Sequence, residues 1–317
     1  MDGWLSAVER GEMKKIILDT DVGVDCDDAA AIALLLNAQN EGKCRILGIT
    51  AATARPGATA TIQTICEHYG VKDIPVARLQ NPLDCDAINN YALAVQQKYG
   101  KQDDDREAVE LLRELLAAQE EKVTLIAIGP LTNIQNLLQS GADRYSTLSG
   151  EELVREKVEA FYLMGGAFAS NYPGCKDNPE TVMSEWNILQ DIPAAQYVAA
   201  HFPGKMLYSP HELGANIFTY MGDVNNPVWY SFLSFAKSTN EPYEDGFKRQ
   251  SWDPLTCMVA LDEENPLFDY SDWGNIFVNE KGQTMYTPCE DGNCRYMCLN
   301  NNLKEIESLL NELIEKR

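Results

Sequence analysis

Basic side chains and histidines are scarce in this sequence. Lys and Arg number 26 against 48 Asp and Glu, which gives a formal net charge of −22 at pH 7. Nucleic acids and anionic membranes bind through clusters of Lys and Arg, so we expect no nucleic-acid partner and no membrane partner. The chain has three His, and the stretch from Cys289 to Cys298 contains no C-x-x-C pair. A tetrahedral structural zinc site is therefore disfavoured.

Long apolar runs are missing as well. No stretch reaches the roughly 20 consecutive apolar residues that span a bilayer, and the first fifteen residues are mixed and charged, unlike a secretory signal. The nine Cys are an odd number at scattered spacing, which fits reduced thiols better than a disulfide framework. We therefore expect a cytoplasmic protein. The length of 317 residues and the 45% hydrophobic composition are consistent with one domain over residues 1–317.

Strand-like and helix-like patterns alternate over the first two-thirds of the chain. Six apolar runs predict buried strands, at residues 16–18, 43–52, 73–79, 123–129, 160–166 and 205–210. Such alternation predicts right-handed crossovers, and hence an α/β fold with an open, mostly parallel sheet and helices on both faces. Residues 81–105 are polar and predict an irregular surface excursion. Residues of about 265–317 predict a hairpin, with Gly282 in its turn, and an amphipathic helix packed on the domain.

Acidic residues cluster where the first strand ends. The apolar run at 16–18 leads into DTDVGVDCDD, which places Asp19, Asp21, Asp25, Asp27 and Asp28 within ten residues. The carboxyl end of a buried strand is where open α/β sheets bind ligands. One or two of these acids could cap the helix that follows, but five like charges raise one another's pKa unless a cation neutralises them. Ligands of this all-oxygen kind suit Ca²⁺ or Mg²⁺ better than zinc.

Four further segments stand at strand ends or in the loops beyond them. They are GPLTN at 129–133, GGAFASN at 165–171, SEWN at 184–187 and SWDP at 251–254. Each is weak alone. In this order, and together with the acidic loop, they resemble the inosine–uridine-preferring nucleoside hydrolase family over residues of about 14–262. That family shows an Asp-x-Asp-x-Gly loop ending in two Asp, a GPLTN turn, an MGG strand end, a Glu-aromatic-Asn triplet and a late Asp.

The resemblance implies hydrolysis of the N-glycosidic bond of a ribonucleoside to free base and ribose, with a bound Ca²⁺. It also implies a homodimer or homotetramer. By position, the metal ligands would be Asp21, Asp28, the main-chain carbonyl of Ile128 and Asp253. Asp21 would also act as general base on a calcium-bound water. The ribose hydroxyls would be held by Asp27, Glu185, Asn187 and either Asn171 or Asn178, with Asn178 preferred because it lies nearer Glu185.

The sequence departs from the family pattern at three places. The first loop is two residues longer, so Asp25 competes with Asp27 for the ribose; the spacing to the following helix favours Asp27. Arg55 stands where many relatives carry Asn, and a basic residue there could alter the ribose 5′ side. Trp252 stands where pyrimidine-active relatives carry His. An indole can stack on a purine base, which favours purine nucleosides, but core packing explains Trp252 equally well.

Other interpretations of the same residues stay open. DTDVG resembles the nucleophile loop of haloacid-dehalogenase-type phosphatases, in which Asp19 would attack phosphate with Mg²⁺ bound. A non-catalytic nucleoside-binding relative is a third hypothesis, since no leaving-group acid is evident. Tyr243 and Arg249, in the polar loop EPYEDGFKRQ, are candidates for a lid that closes over substrate.

Overall fold

The computed structural model of the protein describes residues 13–83, 91–168, 183–244 and 246–316. The strands are β1 (Lys14–Thr20), β2 (Cys44–Ala51), β3 (Val76–Arg78), β4 (Val123–Ala127), β5 (Val158–Met164), β6 (Lys205–Ser209), β7 (Phe218–Tyr220), β8 (Lys248–Gln250), β9 (Asp269–Tyr270), β10 (Gly274–Val278), β11 (Thr284–Pro288) and β12 (Cys294–Cys298).

The helices are α1 (Asp27–Asn40), α2 (Ala58–His68), α3 (Tyr91–Tyr99), α4 (Ala108–Ala117), α5 (Thr132–Gln139), α6 (Gly150–Lys157), α7 (Trp186–Gln190), α8 (Ile192–His201), α9 (His211–Gly214), α10 (Pro227–Thr239), α11 (Trp252–Leu261) and α12 (Leu303–Glu315). Among the helices so described, none is long and apolar enough to cross a membrane.

Ten of these strands form one sheet. Its order is β11-β10-β12-β6-β5-β4-β1-β2-β3, and β9 pairs with β12. Strands β1 to β6 pair with their neighbours in parallel, which confirms the predicted α/β fold with a mostly parallel sheet. The chain runs outward from β1 to β3 and then returns to β4 on the other side of β1. A reversal of this kind opens a crevice at the carboxyl ends of β1 and β4.

The first strand shows why the apolar runs predicted strands correctly. Ile16 and Leu18 pack into the apolar cluster that includes α1 and α11, whereas Ile17 packs into a second cluster with α4 and α5. Strands covered by helices on both faces need apolar residues at every position, so they appear as uninterrupted apolar runs.

The prediction of an irregular excursion was wrong for the part of it that forms α3. Tyr91, Ala92 and Val95 are the buried residues of this helix, which packs on α2 and α10. The apolar residues of this helix are consecutive at its start and Leu93 among them is exposed, so the sequence shows no clear amphipathic spacing there. Residues 84–90 lie outside the described part of the chain.

Beyond residue 264, the predicted hairpin is present as β10 and β11, and Gly282 has a positive φ of 76° in its turn. The sequence did not predict β12. This strand lies between β10 and β6, antiparallel to the first and parallel to the second. It carries Cys294 and Cys298, so part of the Cys-rich stretch belongs to the sheet.

Candidate functional site at the carboxyl edge of the sheet

Asp21 follows β1 directly and packs against the turn after β4. A Cβ at Gly129 would lie 2.9 Å from the Cβ of Asp21 and 3.1 Å from its Cγ. Only glycine allows this approach without displacing the carboxylate, which explains the first residue of the GPLTN motif. The neighbouring Ile128 donates its N–H to the carbonyl of Asp19 at 2.8 Å. The turns that follow β1 and β4 are thus held in contact.

Asp19 joins three elements of the fold. Its Oδ1 accepts hydrogen bonds from the Thr50 hydroxyl of β2 at 2.5 Å and from the Asn133 amide of α5 at 2.8 Å. Asn133 also donates to the carbonyl of Ala51. Burial raises the pKa of Asp19 to about 7 although both hydrogen bonds act in the opposite direction. Asp19 and Asn133, the last residue of GPLTN, therefore have a structural role at the base of the site.

Three buried carboxylates converge from distant parts of the chain. Asp27 and Asp28 lie in the first turn of α1 and Asp253 in the first turn of α11; one carboxylate oxygen of each lies within 4.8 Å of the other two. The Oδ2 of Asp27 accepts the N–H groups of Trp252 at 3.0 Å and Asp253 at 3.1 Å. The start of α11 is therefore bonded directly to the start of α1.

The chemistry of this trio fits a metal ion. The Oδ1 of Asp28 accepts the Thr20 hydroxyl, but its buried Oδ2 has no hydrogen-bond partner among the residues that the structure describes. Burial and the neighbouring carboxylates raise the pKa of Asp28 and Asp253 well above the usual range. A bound cation would satisfy the free oxygen and remove the repulsion, and oxygen ligands suit a hard divalent ion.

Asp21 lies beside the trio without belonging to it. Of the neighbouring charges, Asp21 contributes most to the raised pKa of Asp28. Burial raises the pKa of Asp21 itself to about 8; the guanidinium of the fully buried Arg55 acts in the opposite direction, and Asp27 adds to the rise. Burial likewise raises the pKa of Asp27 to about 7. The site thus contains acids whose pKa values are raised toward neutral pH.

The SEWN segment is fixed to the end of β5. Glu185 caps α7: its carboxylate accepts the N–H groups of Asn187 at 2.9 Å, Ile188 at 3.2 Å and Gly166 at 3.3 Å. Asn187 donates its side-chain amide to the carbonyl of Met164 at 3.2 Å. Burial raises the pKa of Glu185 to about 7. Because β5 is two strands from β1 in the sheet, this group lies at the same carboxyl edge as the acids that follow β1.

Trp252 is half-buried and packs against α9. Its indole N–H donates to the carbonyl of His211 at 2.9 Å, and a Cβ at Gly214 would lie 2.4 Å from its Cδ1. Glycine at 214 therefore makes room for the indole. Burial lowers the pKa of His211. Asn171 and Asn178 lie outside the described residues.

Sequence analysis missed several contacts of the site, including two that involve acids of the first loop. One is the Thr20 hydroxyl on Asp28. The other is an ion pair between Asp25, in the lengthened loop, and Arg249, in β8. The signal for the second was the pair of extra residues in the loop, but nothing in the sequence indicated the partner.

An open, mostly parallel sheet with buried carboxylates where the strand order reverses defines an α/β protein with an acidic ligand site. The chain belongs to the inosine-uridine preferring nucleoside hydrolase family, whose sequence profile matches residues 16–303. The resemblance seen in the sequence is thereby confirmed.

Curated relatives include uridine nucleosidase 1 of Arabidopsis thaliana, 30% identical over 173 residues, which are 50% of this chain and 47% of that protein. The non-specific ribonucleoside hydrolase RihC of Salmonella agona is 35% identical over 194 residues, 58% of this chain and 56% of that protein. The chain thus spans about half the length of these relatives.

Solved structures of similar fold include the inosine-uridine preferring nucleoside hydrolase from Bacillus anthracis. It has a TM-score of 0.68 and 20% identity, covering 96% of this chain and 100% of that chain. A plant nucleoside hydrolase has a TM-score of 0.70 and 21% identity with the same coverage. At this identity, the likeness to both structures shows the fold alone.

Proposed function

We propose that the protein hydrolyses the N-glycosidic bond of ribonucleosides or related N-ribosides, releasing free base and ribose. The observation that carries this proposal is the convergence of Asp27, Asp28 and Asp253, beside Asp21, at the switch point of the sheet. The family assignment supports it, and so do the relatives named as a uridine nucleosidase and a ribonucleoside hydrolase.

We assign Ca²⁺ as the ion. Its ligands would be the carboxylates of Asp28 and Asp253 from the trio, the carboxylate of the adjacent Asp21 in place of Asp27, and the main-chain carbonyl of Ile128. This set contains only oxygen, and Ca²⁺ accepts six to eight oxygen ligands in flexible geometry. When bound, the ion would lower the pKa of a water molecule and orient it. Asp27 holds the amides of α11 through Oδ2. We assign its Oδ1 to a ribose hydroxyl.

The protein's own groups then have distinct parts. Asp21 takes the proton of the attacking water as general base. Departure of the base leaves positive charge on the ribosyl centre, as in other glycoside hydrolysis, and the buried carboxylates stabilise that charge. Glu185, Asn187 and Asn178 hold the sugar hydroxyls. The face of Trp252 stacks on the departing base, which favours purines.

A substrate panel tests this function. Inosine, adenosine, uridine and their 2′-deoxy analogues are incubated with calcium-loaded protein, and free base and reducing sugar are both measured. We expect base and ribose in equal amounts from the ribonucleosides. We expect rates lower by about 10⁴-fold with the 2′-deoxy analogues, because buried groups made for a hydroxyl are left unpaired.

Each other outcome of the panel has a different meaning. Intact inosine bound in calorimetry, with no base released over hours, would show a nucleoside-binding relative instead of a hydrolase. Phosphate released from a phosphomonoester, with no base from any nucleoside, would support the phosphatase hypothesis.

The raised pKa values predict how the stability of the calcium-free protein depends on pH. Asp19, Asp21, Asp27 and Glu185 have folded-state pKa values of about 7, 8, 7 and 7. Unfolded carboxyls titrate near pH 4, so the folded chain holds more protons between about pH 4 and pH 8. Its stability is then highest on the acid side of this window and falls as the pH rises through it.

We therefore expect the Tm in chelator to fall by at least about 5 °C between pH 5.5 and pH 8. Saturating Ca²⁺ should abolish most of the fall, because the ion stabilises the ionised acids. Differential scanning calorimetry at both pH values measures this. A Tm that rises with pH in chelator would contradict the pKa values above.

From the length and composition of the sequence, we further propose that the chain forms one domain and acts in the cytoplasm; from the family likeness, we propose that it assembles as a homodimer or homotetramer. Sedimentation velocity measures the subunit number, and a monomer would contradict the assembly.

A further inference from the structure

We propose that Asp25 and Arg249 form a positioning pair, which fixes the acidic loop against the start of α11 and so holds Asp28 and Asp253 together for the cation. This inference rests on the proposed function, because Ca²⁺ is the ion that the two acids would share. It assigns Asp25 to Arg249 and leaves the ribose to Asp27.

The pair has a two-point geometry. The Nε of Arg249 donates to Oδ1 of Asp25 at 2.8 Å and to Oδ2 at 3.1 Å, and Nη2 of Arg249 donates to Oδ2 as well. Only 21% of the Arg249 side chain and 27% of the Asp25 side chain are exposed. The Oδ1 of Asp25 also accepts the N–H of Cys26 at 2.7 Å. The guanidinium of Arg249 and the N–H of Cys26 thus engage both oxygens of Asp25 within the protein.

Arg249 is itself held in a fixed place. It lies opposite Thr219 in the two-stranded sheet of β7 and β8. Its guanidinium carbon lies 5.0 Å from the centre of the Phe235 ring and 5.3 Å from that of the Trp252 ring. Aromatic faces at this distance stabilise the cation and limit its rotamers.

The segment between Arg249 and Asp253 transmits that position. Ser251 donates its N–H to the carbonyl of Ile217 at 3.0 Å, and its hydroxyl lies 2.6 Å from the hydroxyl of Thr219. The next two N–H groups, of Trp252 and Asp253, bind Asp27. Asp25 therefore binds the chain before Ser251, through Arg249, and Asp27 binds it after Ser251. The second of these contacts includes the N–H of Asp253 itself.

Substituting each partner in turn distinguishes a positioning role from a purely electrostatic effect on the cation. Loss of the negative charge of Asp25 would weaken binding of a nearby cation by electrostatics alone. Loss of the positive charge of Arg249 would strengthen it by the same argument. A positioning pair predicts that both losses weaken binding, because each one frees Asp253 from its place.

The experiment measures the Kd of Ca²⁺ by calorimetry on the full chain and the Tm in chelator. The variants are Asp25→Asn, Arg249→Gln, Arg249→Lys and the double variant Asp25→Asn/Arg249→Gln. We expect each single change to raise Kd about 10-fold, as for groups that orient metal ligands elsewhere, with the double variant no weaker than Arg249→Gln. Arg249→Lys should also weaken binding, because lysine keeps the charge but loses the two-point contact.

The matched control is Arg155→Gln, which removes an exposed ion pair with Glu151 on α6 and should leave Kd unchanged. We expect the Tm in chelator to change by less than about 3 °C in every variant, since partly exposed ion pairs contribute little to global stability. An unchanged or lower Kd in Arg249→Gln would overturn the proposal. So would a higher KM for nucleoside in Asp25→Asn with an unchanged Kd, because it would place Asp25 at the ribose.

Base release by the wild type is assayed in the same preparation. A wild type that binds Ca²⁺ but releases no base would defeat the proposed function and leave the positioning pair intact. A wild type with calcium-dependent turnover, and variants that bind Ca²⁺ as tightly as it does, would defeat the pair alone.

Discussion

Asp21→Asn is expected to lower kcat for inosine hydrolysis by about 10³-fold at saturating Ca²⁺. Asn keeps the shape of the side chain and one oxygen that can still bind a cation, but it cannot take a proton from water. The packing of Asp21 against Gly129 is also kept, so the fold should be unaffected. The effect is measured as the rate at which free base is released, monitored by chromatography.

The exposed Asp223, which accepts the N–H of Asn225, provides the control for this substitution. Asp223→Asn should retain the wild-type kcat. A low rate of Asp21→Asn at limiting Ca²⁺ that returns to the wild-type kcat at saturation would show that Asp21 acts only as a ligand. A kcat near the wild-type value would contradict its assignment as the base.

Removal of calcium is the second change with a large expected effect. Chelation should lower the rate by about 10² or more, because a cation of this kind contributes several kcal/mol of transition-state stabilisation. Added Ca²⁺ should restore the rate and Zn²⁺ should not, since zinc prefers nitrogen and sulfur ligands to a set built from carboxylates.

Asp253→Ala removes one member of the carboxylate trio from α11. This variant should stay inactive at the Ca²⁺ concentration that restores the chelated wild type, and calorimetry should show weaker binding. The calcium content of the protein is checked by elemental analysis. Full activity in calcium-free protein would exclude a role for the ion in the reaction.

Local patterns predicted the fold better than they predicted the site. The six parallel strands were predicted correctly because strands buried on both faces are continuous apolar runs. The acidic loop was visible because its residues are neighbours in the sequence. The bonds from Asp27 to the start of α11 join residues up to 226 positions apart, and Asp25 and Arg249 are 224 apart.

These long-range contacts depend on how α1 packs against α11 and on the register of β7 with β8. No local pattern carries that information. The sequence analysis therefore identified the acids of the first loop but could not say what Asp25 and Asp27 bind, or that Arg249 lies beside them.

The place of β12 has a consequence for how the molecule is made. This strand follows every other described strand in the chain, yet it lies inside the sheet, between β6 and β10. A nascent polypeptide that has left the ribosome only as far as β6 would carry β6 as an unpaired edge, ready to pair with another chain. Messages truncated before residue 294 should therefore yield aggregates, and chaperones that shield strand edges should matter most during the last stage of translation.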